Sequence, residues 1–173
     1  MGTGECLRTF GSVKNLTLSV AISSDGQLGL SGENNKSLHL WDLETGNCLH
    51  SFDVFKSQVN SVAFSPDGSQ ALTGSGWLPD KDFSLRLWDL ASGTCLHTFE
   101  GYKKPVYSVT ISPDGLFAIS TGQYEERMWD LTTGKCLRIF EGIKGSVLSV
   151  SISPDGRYAL MGTNKWNLEL LKL

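Results

Sequence analysis

The 173-residue sequence has no surplus of positive charge: 15 Lys and Arg stand against 18 Asp and Glu, for a formal net charge of -3. Nucleic-acid binding leaves a basic footprint, so that class of partner is not expected. No apolar run approaches the roughly 18 residues of a membrane-spanning helix. The N-terminus lacks the charged-then-apolar pattern of a secretion signal. Cys6 stands where an N-myristoylation signal requires Ser or Thr. A soluble, cytoplasmic protein that engages neither nucleic acid nor membrane is the expectation. Apolar spacing of helical period is missing as well. Short runs of period-2 alternation take its place, broken roughly every 8–12 residues by Gly, Pro, Asp or Asn, which is the pattern of an all-β protein. No Cys or His pair has metal-ligand spacing and no nucleophile-elbow context surrounds any Ser, so neither a metal, a cofactor nor a catalytic residue is expected.

What the sequence has in abundance is itself. "SSDG" at Ser23–Gly26 returns as "SPDG" at Ser65–Gly68, Ser112–Gly115 and Ser153–Gly156. Trp-Asp-Leu occurs at Trp41–Leu43, Trp88–Leu90 and Trp129–Leu131, and Cys6, Cys48, Cys95 and Cys136 keep one register. The period is roughly 40–47 residues, the length of a four-stranded unit. The second unit resolves into "CLHSF" (48–52), "VNSVAFS" (59–65), "SQALTGS" (69–75) and "SLRLWDL" (84–90), here called strands d, a, b and c. Ser-Pro-Asp-Gly makes a tight a–b hairpin: Pro presets φ, Asp bonds the local backbone and Gly accepts positive φ. Thr45-Gly46, Ser92-Gly93 and Thr133-Gly134 do the same between c and d. Four Cys on four separate units are too far apart for disulfides, and the expectation is that they are small buried hydrophobes. His50 and His97 share their register with Arg8 and Arg138 and read as surface residues of the outer strand.

The phrases "VNSVAFSPDG…LRLWDL" and "VYSVTISPDG…MWDL" resemble the WD-repeat family of β-propellers over essentially the whole chain. The resemblance implies four-stranded antiparallel blades, four per chain, with repeats at about 1–43, 44–90, 91–131 and 132–173. Family members usually carry a Gly-His dipeptide between d and a and an Asp in the b–c turn. These two, with a Ser or Thr of strand b and the strand-c Trp, form a buried hydrogen-bonded tetrad. Here the His positions are Val13, Phe55, Tyr102 and Ile143, and the Asp positions read Asn35, Asp82 and Lys165, the third b–c turn being shorter. A buried Asp without its His is an unsatisfied acceptor, so the joint loss fits blades held by apolar packing. The Ser/Thr and Trp ends survive as Ser31 with Trp41, Thr73 with Trp88, and Thr121 with Trp129, and become Met161 and Leu171 in the fourth unit. Phe55 reads as filler for the lost His, and Asp82, in a long insert, as solvated.

By resemblance, a protein or peptide partner docks on the rim that carries the d–a and b–c connections. The enlarged second b–c turn, "GWLPDKDF", offers Trp77, Leu78, Asp80 and Lys81 there. Exposed Trp and Leu suit an interface anchor, although Trp77 folded back on a neighbouring blade fits the sequence equally well. Tyr102 offers a polar tip to solvent. The first residues of strand a, Leu18, Asn60, Tyr107 and Leu148, line the channel mouth, and Glu126 breaks pattern by replacing Leu38 and Leu85 in strand c. The expected role is therefore a non-catalytic interaction scaffold.

The two ends of the sequence carry complementary pieces. Cys6, Leu7, Arg8, Thr9 and Phe10 read as a strand d without its blade, and Leu168, Leu170, Leu171 and Leu173 belong to a strand c without its d. Propellers run typically from 4 to 8 blades, and blades of this kind favour the higher counts. Two chains completing an eight-bladed homodimeric ring is the first expectation. Closure within one chain, or a place within a larger multidomain signalling protein, stand beside it.

Overall fold

A computed structural model describes residues 4–11, 15–52, 55–80 and 82–173. Among them the chain forms fifteen strands and no helix. The first sheet holds β1 (Thr17–Ile22), β2 (Leu28–Glu33), β3 (Leu38–Asp42) and β4 (Cys48–Phe52). The second holds β5 (Val59–Phe64), β6 (Gln70–Ser75), β7 (Leu85–Asp89) and β8 (Cys95–Phe99). The third holds β9 (Val106–Ile111), β10 (Phe117–Gly122), β11 (Glu126–Asp130) and β12 (Cys136–Phe140). The last has β13 (Val147–Ile152), β14 (Tyr158–Thr163) and β15 (Leu168–Lys172) only. Every sheet is an antiparallel meander in chain order, as the a-b-c-d reading of the repeat requires.

The turns form for the reasons their residues suggest. In the second blade the Gly68 N–H donates to the Ser65 carbonyl at 2.9 Å. The Ser65 hydroxyl donates to Asp67 at 2.5 Å, and Asp67 also accepts the Ser69 N–H at 3.1 Å. Gly68 closes the turn at φ 74°, a conformation in which a Cβ is strained. The Ser65 hydroxyl holds the Asp67 carboxyl below its ordinary value, and the same bond does so at Asp25, Asp114 and Asp155. The Asp of each Trp-Asp pair is spent on the c–d turn. Asp42 accepts the N–H of Thr45, Asp89 that of Ser92 and Asp130 that of Thr133, at 2.6–2.7 Å.

The blades stack in order, β1 on β5, β5 on β9 and β9 on β13, around three apolar seams. In the first seam Leu30, Leu38 and Leu40 of one blade meet Val59, Val62 and Trp88 of the next. Leu72, Leu85 and Leu87 meet Val106, Val109 and Trp129 in the second. The third is built of Ile119, Val147, Val150 and Met161. The backbones approach closely there: a Cβ on Gly74 would stand 2.6 Å from Val106.

At its two ends the stack is open. Val20 and Ile22 of the first blade are exposed, and so are Leu160, Leu168 and Leu170 of the last, while Leu171 and Leu173 are partly buried against the third seam. Residues 4–10, expected as a strand, pair with no strand among the described residues, because β15 lies at the far end of the stack. The expectation of buried cysteines is also corrected. All four are exposed on the outer side and none is in a disulfide, because strand d has no further strand to cover it.

Candidate functional site

Antiparallel meanders place the starts of strands a and c, and with them the d–a and b–c connections, on one rim. Beneath that rim each Trp keeps its strand-b partner. The indole N–H of Trp41 donates to Ser31 at 2.9 Å, that of Trp88 to Thr73 at 3.0 Å, and that of Trp129 to Ser120 at 2.7 Å. Thr121, expected in this role, lies one residue too far along β10 and bonds the Ser108 carbonyl instead. Ser120 pairs with Arg127 as Thr73 pairs with Arg86 and Ser31 with His39, so it is the residue in register.

In the second and third blades the missing His is replaced by an aromatic ring with a cation. Phe55 packs on Trp88 at 5.2 Å between centroids, as expected for a filler, and the Arg86 guanidinium lies 5.6 Å over the Phe55 ring. Asp82, expected in solvent, is turned inward. It pairs with Arg86 at 3.4 Å and accepts the Lys56 N–H at 3.1 Å, and so ties the d–a connection down. In the third blade Arg127 sits 5.0 Å over Tyr102 and 5.5 Å over Trp129, donates to the Gly101 carbonyl and pairs with Glu125. Tyr102 is therefore no surface anchor. Its hydroxyl bonds Ser120 beside the Trp129 indole, and burial pushes the phenol well above its ordinary value. The first blade puts His39 against Trp41, 3.2 Å from Glu33. The repeated basic or imidazole residue at the second position of strand c was the available signal for this substitution, and only its packing on the rings gives it meaning.

Of the rim residues read from the sequence, Trp77 is 56% exposed and Leu78 is 59% exposed, so the loop presents them outward. Asp80 holds the loop from below through a 3.2 Å ion pair with Lys36 of the first blade. Lys81 lies outside the described residues, as does Val13. Asn60 is structural: its amide donates to the carbonyls of Gly76 at 2.8 Å and Val106 at 2.9 Å, joining the second blade to the third. Tyr107 is half-buried, and Leu18 and Leu148 are exposed.

Two rim residues were not singled out by the sequence reading. Tyr124 and Trp166 occupy the b–c turns of the third and fourth blades, each at φ 64°, with Lys36 at the matching place in the first at φ 76°. Positive φ is costly for bulky side chains and concentrates at functional sites. Tyr124 is largely exposed and Trp166 is 99% exposed. Lys36 shows what this position does where a following blade is present, since it reaches across to the next b–c loop.

Glu126 is an acid set into a seam. It stands where Leu38 and Leu85 pack, is 3% exposed, and Oε1 has no hydrogen-bond partner. Burial pushes its carboxyl up to about 7, against the pull of the Val147 backbone N–H, and neighbouring Glu125 adds to the rise. Among the described residues no three His, Cys, Asp or Glu side chains gather in a way that would hold a metal ion.

Comparison with protein families matches WD40, described as the WD domain, G-beta repeat, at residues 4–42, 46–89, 93–126 and 134–166. Comparison with curated proteins gives no match. Each matched segment begins just ahead of a Cys-Leu pair, at the outer strand of one blade or at its counterpart in residues 4–10, and continues into the next blade. Proteins built of WD repeats are generally non-catalytic scaffolds for protein–protein interaction. Four repeats in register, each folded as a blade, mean that this chain belongs to the WD-repeat family.

Proposed function

We propose that the chain is an interaction scaffold that docks a protein or peptide on its loop rim, with Trp77 and Leu78 as the anchor. One observation carries this reading: two large apolar side chains stand more than half exposed on a loop whose base is pinned by Lys36–Asp80 and by Asp82. A preformed aromatic anchor of this kind concentrates binding energy at low ordering cost. Tyr124 and Tyr107 lie on the same rim and extend the patch toward the third blade. The test is to capture partners on the wild-type protein and titrate each against Trp77→Ala/Leu78→Ala. At least a tenfold loss of affinity is expected, which corresponds to about 1.4 kcal/mol. Undiminished affinity for every captured partner overturns the reading.

A second property is favoured by the open ends. Val20 and Ile22 at one end, and Leu160, Leu168 and Leu170 at the other, occupy positions that inside the stack form buried seams. We infer that two copies close into one eight-bladed ring, which covers both faces in each copy. Apolar patches of this extent mark an interaction site, and a twofold pair presents two identical junctions. Light scattering should give about twice the chain mass of 18.9 kDa, falling to the single-chain value in Leu168→Asp/Leu170→Asp. A wild-type protein at 18.9 kDa overturns it.

A further inference from the structure

The internal seams share a set of devices in one register, the first of them present in all three seams, the second in two and the third in one. A serine of one inner strand accepts an N–H from the next: Val62 donates to Ser19 at 3.1 Å, Val109 to Ser61 at 3.0 Å and Val150 to Ser108 at 3.2 Å. A strand-d phenylalanine meets the next blade's Trp edge-on, Phe52 with Trp88 at 5.5 Å and Phe99 with Trp129 at 5.3 Å. A strand-d side chain also reaches the next c–d turn, as His97 does to the Thr132 carbonyl at 3.2 Å.

Residues 4–10 carry the last two devices already, although they belong to no sheet. Phe10 meets Trp41 edge-on at 5.8 Å, and Arg8 donates to the carbonyls of Thr45 at 2.8 Å and Glu44 at 2.7 Å. The segment is thus seated on the first blade as β4 is seated on the second, with its other edge vacant. At the opposite end β15 is an unpaired edge, and Ser149, in register with Ser19, Ser61 and Ser108, is exposed.

Resting on the two-copy reading above, we propose that the joint is a strand exchange of fixed register, in which residues 6–10 of one copy form the missing fourth strand of the other copy's last blade. The internal blades dictate the pairing. Leu38 faces Phe52, His39 faces Ser51, Leu40 faces His50 and Trp41 faces Cys48, and the second and third blades repeat this. Carried to the joint, Leu168 faces the partner's Phe10, Glu169 the partner's Thr9, Leu170 the partner's Arg8 and Leu171 the partner's Cys6. Ser149 then accepts the N–H of the partner's Val20, and Trp166 extends over the partner's first b–c turn as Lys36 extends over the second loop. A second copy is a fitting occupant because residues 6–10 and the free edge of β15, the two halves of the pairing, both belong to this chain.

The register is read by cross-linking. Paired residues of an antiparallel ladder lie roughly 4.5–5.5 Å apart at Cα, within the range of about 4.4–6.8 Å that a disulfide spans. In a Cys48→Ser/Cys95→Ser/Cys136→Ser background, Leu171→Cys is oxidised with glutathione disulfide beside the native Cys6. A reducible species of twice the chain mass is expected, lost on adding Cys6→Ser. Because Leu171 also packs in the third seam, Thr9→Cys/Glu169→Cys in a background without Cys6 repeats the test at exposed or half-exposed positions. A dimer by light scattering that neither pair cross-links overturns the register and leaves the two-copy reading standing. Thiol loss at single-chain mass shows each chain closing on itself and overturns the exchange. A single-chain mass without cross-link overturns both.

Discussion

Replacing Trp88 by alanine is expected to cost roughly 3–5 kcal/mol of unfolding free energy, the usual range for deleting a buried large aromatic. Trp88 is 3% exposed and is the hub of the first seam. It touches Phe52 at 5.5 Å and Phe55 at 5.2 Å, and its indole N–H is spent on Thr73. Deletion therefore opens a cavity between two blades and leaves the Thr73 hydroxyl short of a donor, two losses that add. Arg86 suffers too, since its resting place over Phe55 depends on Trp88 behind that ring. Urea unfolding at neutral pH measures the effect. Trp88→Phe keeps most of the ring contact and should lose about 1–2 kcal/mol. A Trp88→Ala protein as stable as the wild type would mean that the aromatic-cation stack does not replace the lost tetrad.

Glu126→Leu is expected to act in the other direction and to stabilise the protein above neutral pH by about 1–3 kcal/mol, the cost of leaving a buried polar group unsatisfied. The folded protein holds the Glu126 carboxyl at about 7, against an ordinary value of 4.5. Between these values the folded state binds a proton that the unfolded state has released, so stability falls as pH rises through the window. Below about 4.5 the contribution is fully present, and above about 7 it is gone. Leucine restores the residue that Leu38 and Leu85 supply in the other seams and removes the slope. The turn aspartates work oppositely: each is held low by its serine, so their support is lost as pH falls through the acid range. Urea midpoints at pH 5 and pH 8 for wild type and Glu126→Leu test this. Equal midpoints of the two proteins at pH 8 would show that Glu126 is comfortably solvated.

The strand ladder was readable because its punctuation is local. Ser-Pro-Asp-Gly and Trp-Asp-Leu fix hairpins by bonds within a few residues, so "VNSVAFS" and β5 coincide almost to the residue. Errors arose where placement depends on something distant. Cys95 reads as buried from its residue type alone, yet it lies on strand d, which the repeat already marks as the outer strand, and it is exposed there. Asp82 looked solvated because its partners, Arg86 and the Lys56 N–H, meet it only once the insert folds back. Tyr102 reads as a surface residue because its hydroxyl is polar, while the partner that permits its burial, Ser120, lies on β10, distant in sequence. Tyr124 and Trp166 passed unnoticed because a turn residue in the left-handed region leaves no periodic trace. Counting from the Asp-Gly turn selects Ser120 rather than Thr121, in agreement with the bond that the Trp129 indole makes.

An open stack of sheets has a further consequence for how the protein comes apart. Among the described residues the main contacts run from each blade to the next, so the arc behaves as a short one-dimensional array in which the inner members have two neighbours and the outer members one. Local opening then begins at the flanks: amides of β1 and β15 exchange with solvent soonest, and those of β6 and β10, fully covered between seams, last. Joining the flanks into a circle would abolish the gradient, because a circle has no outer member from which fraying can start.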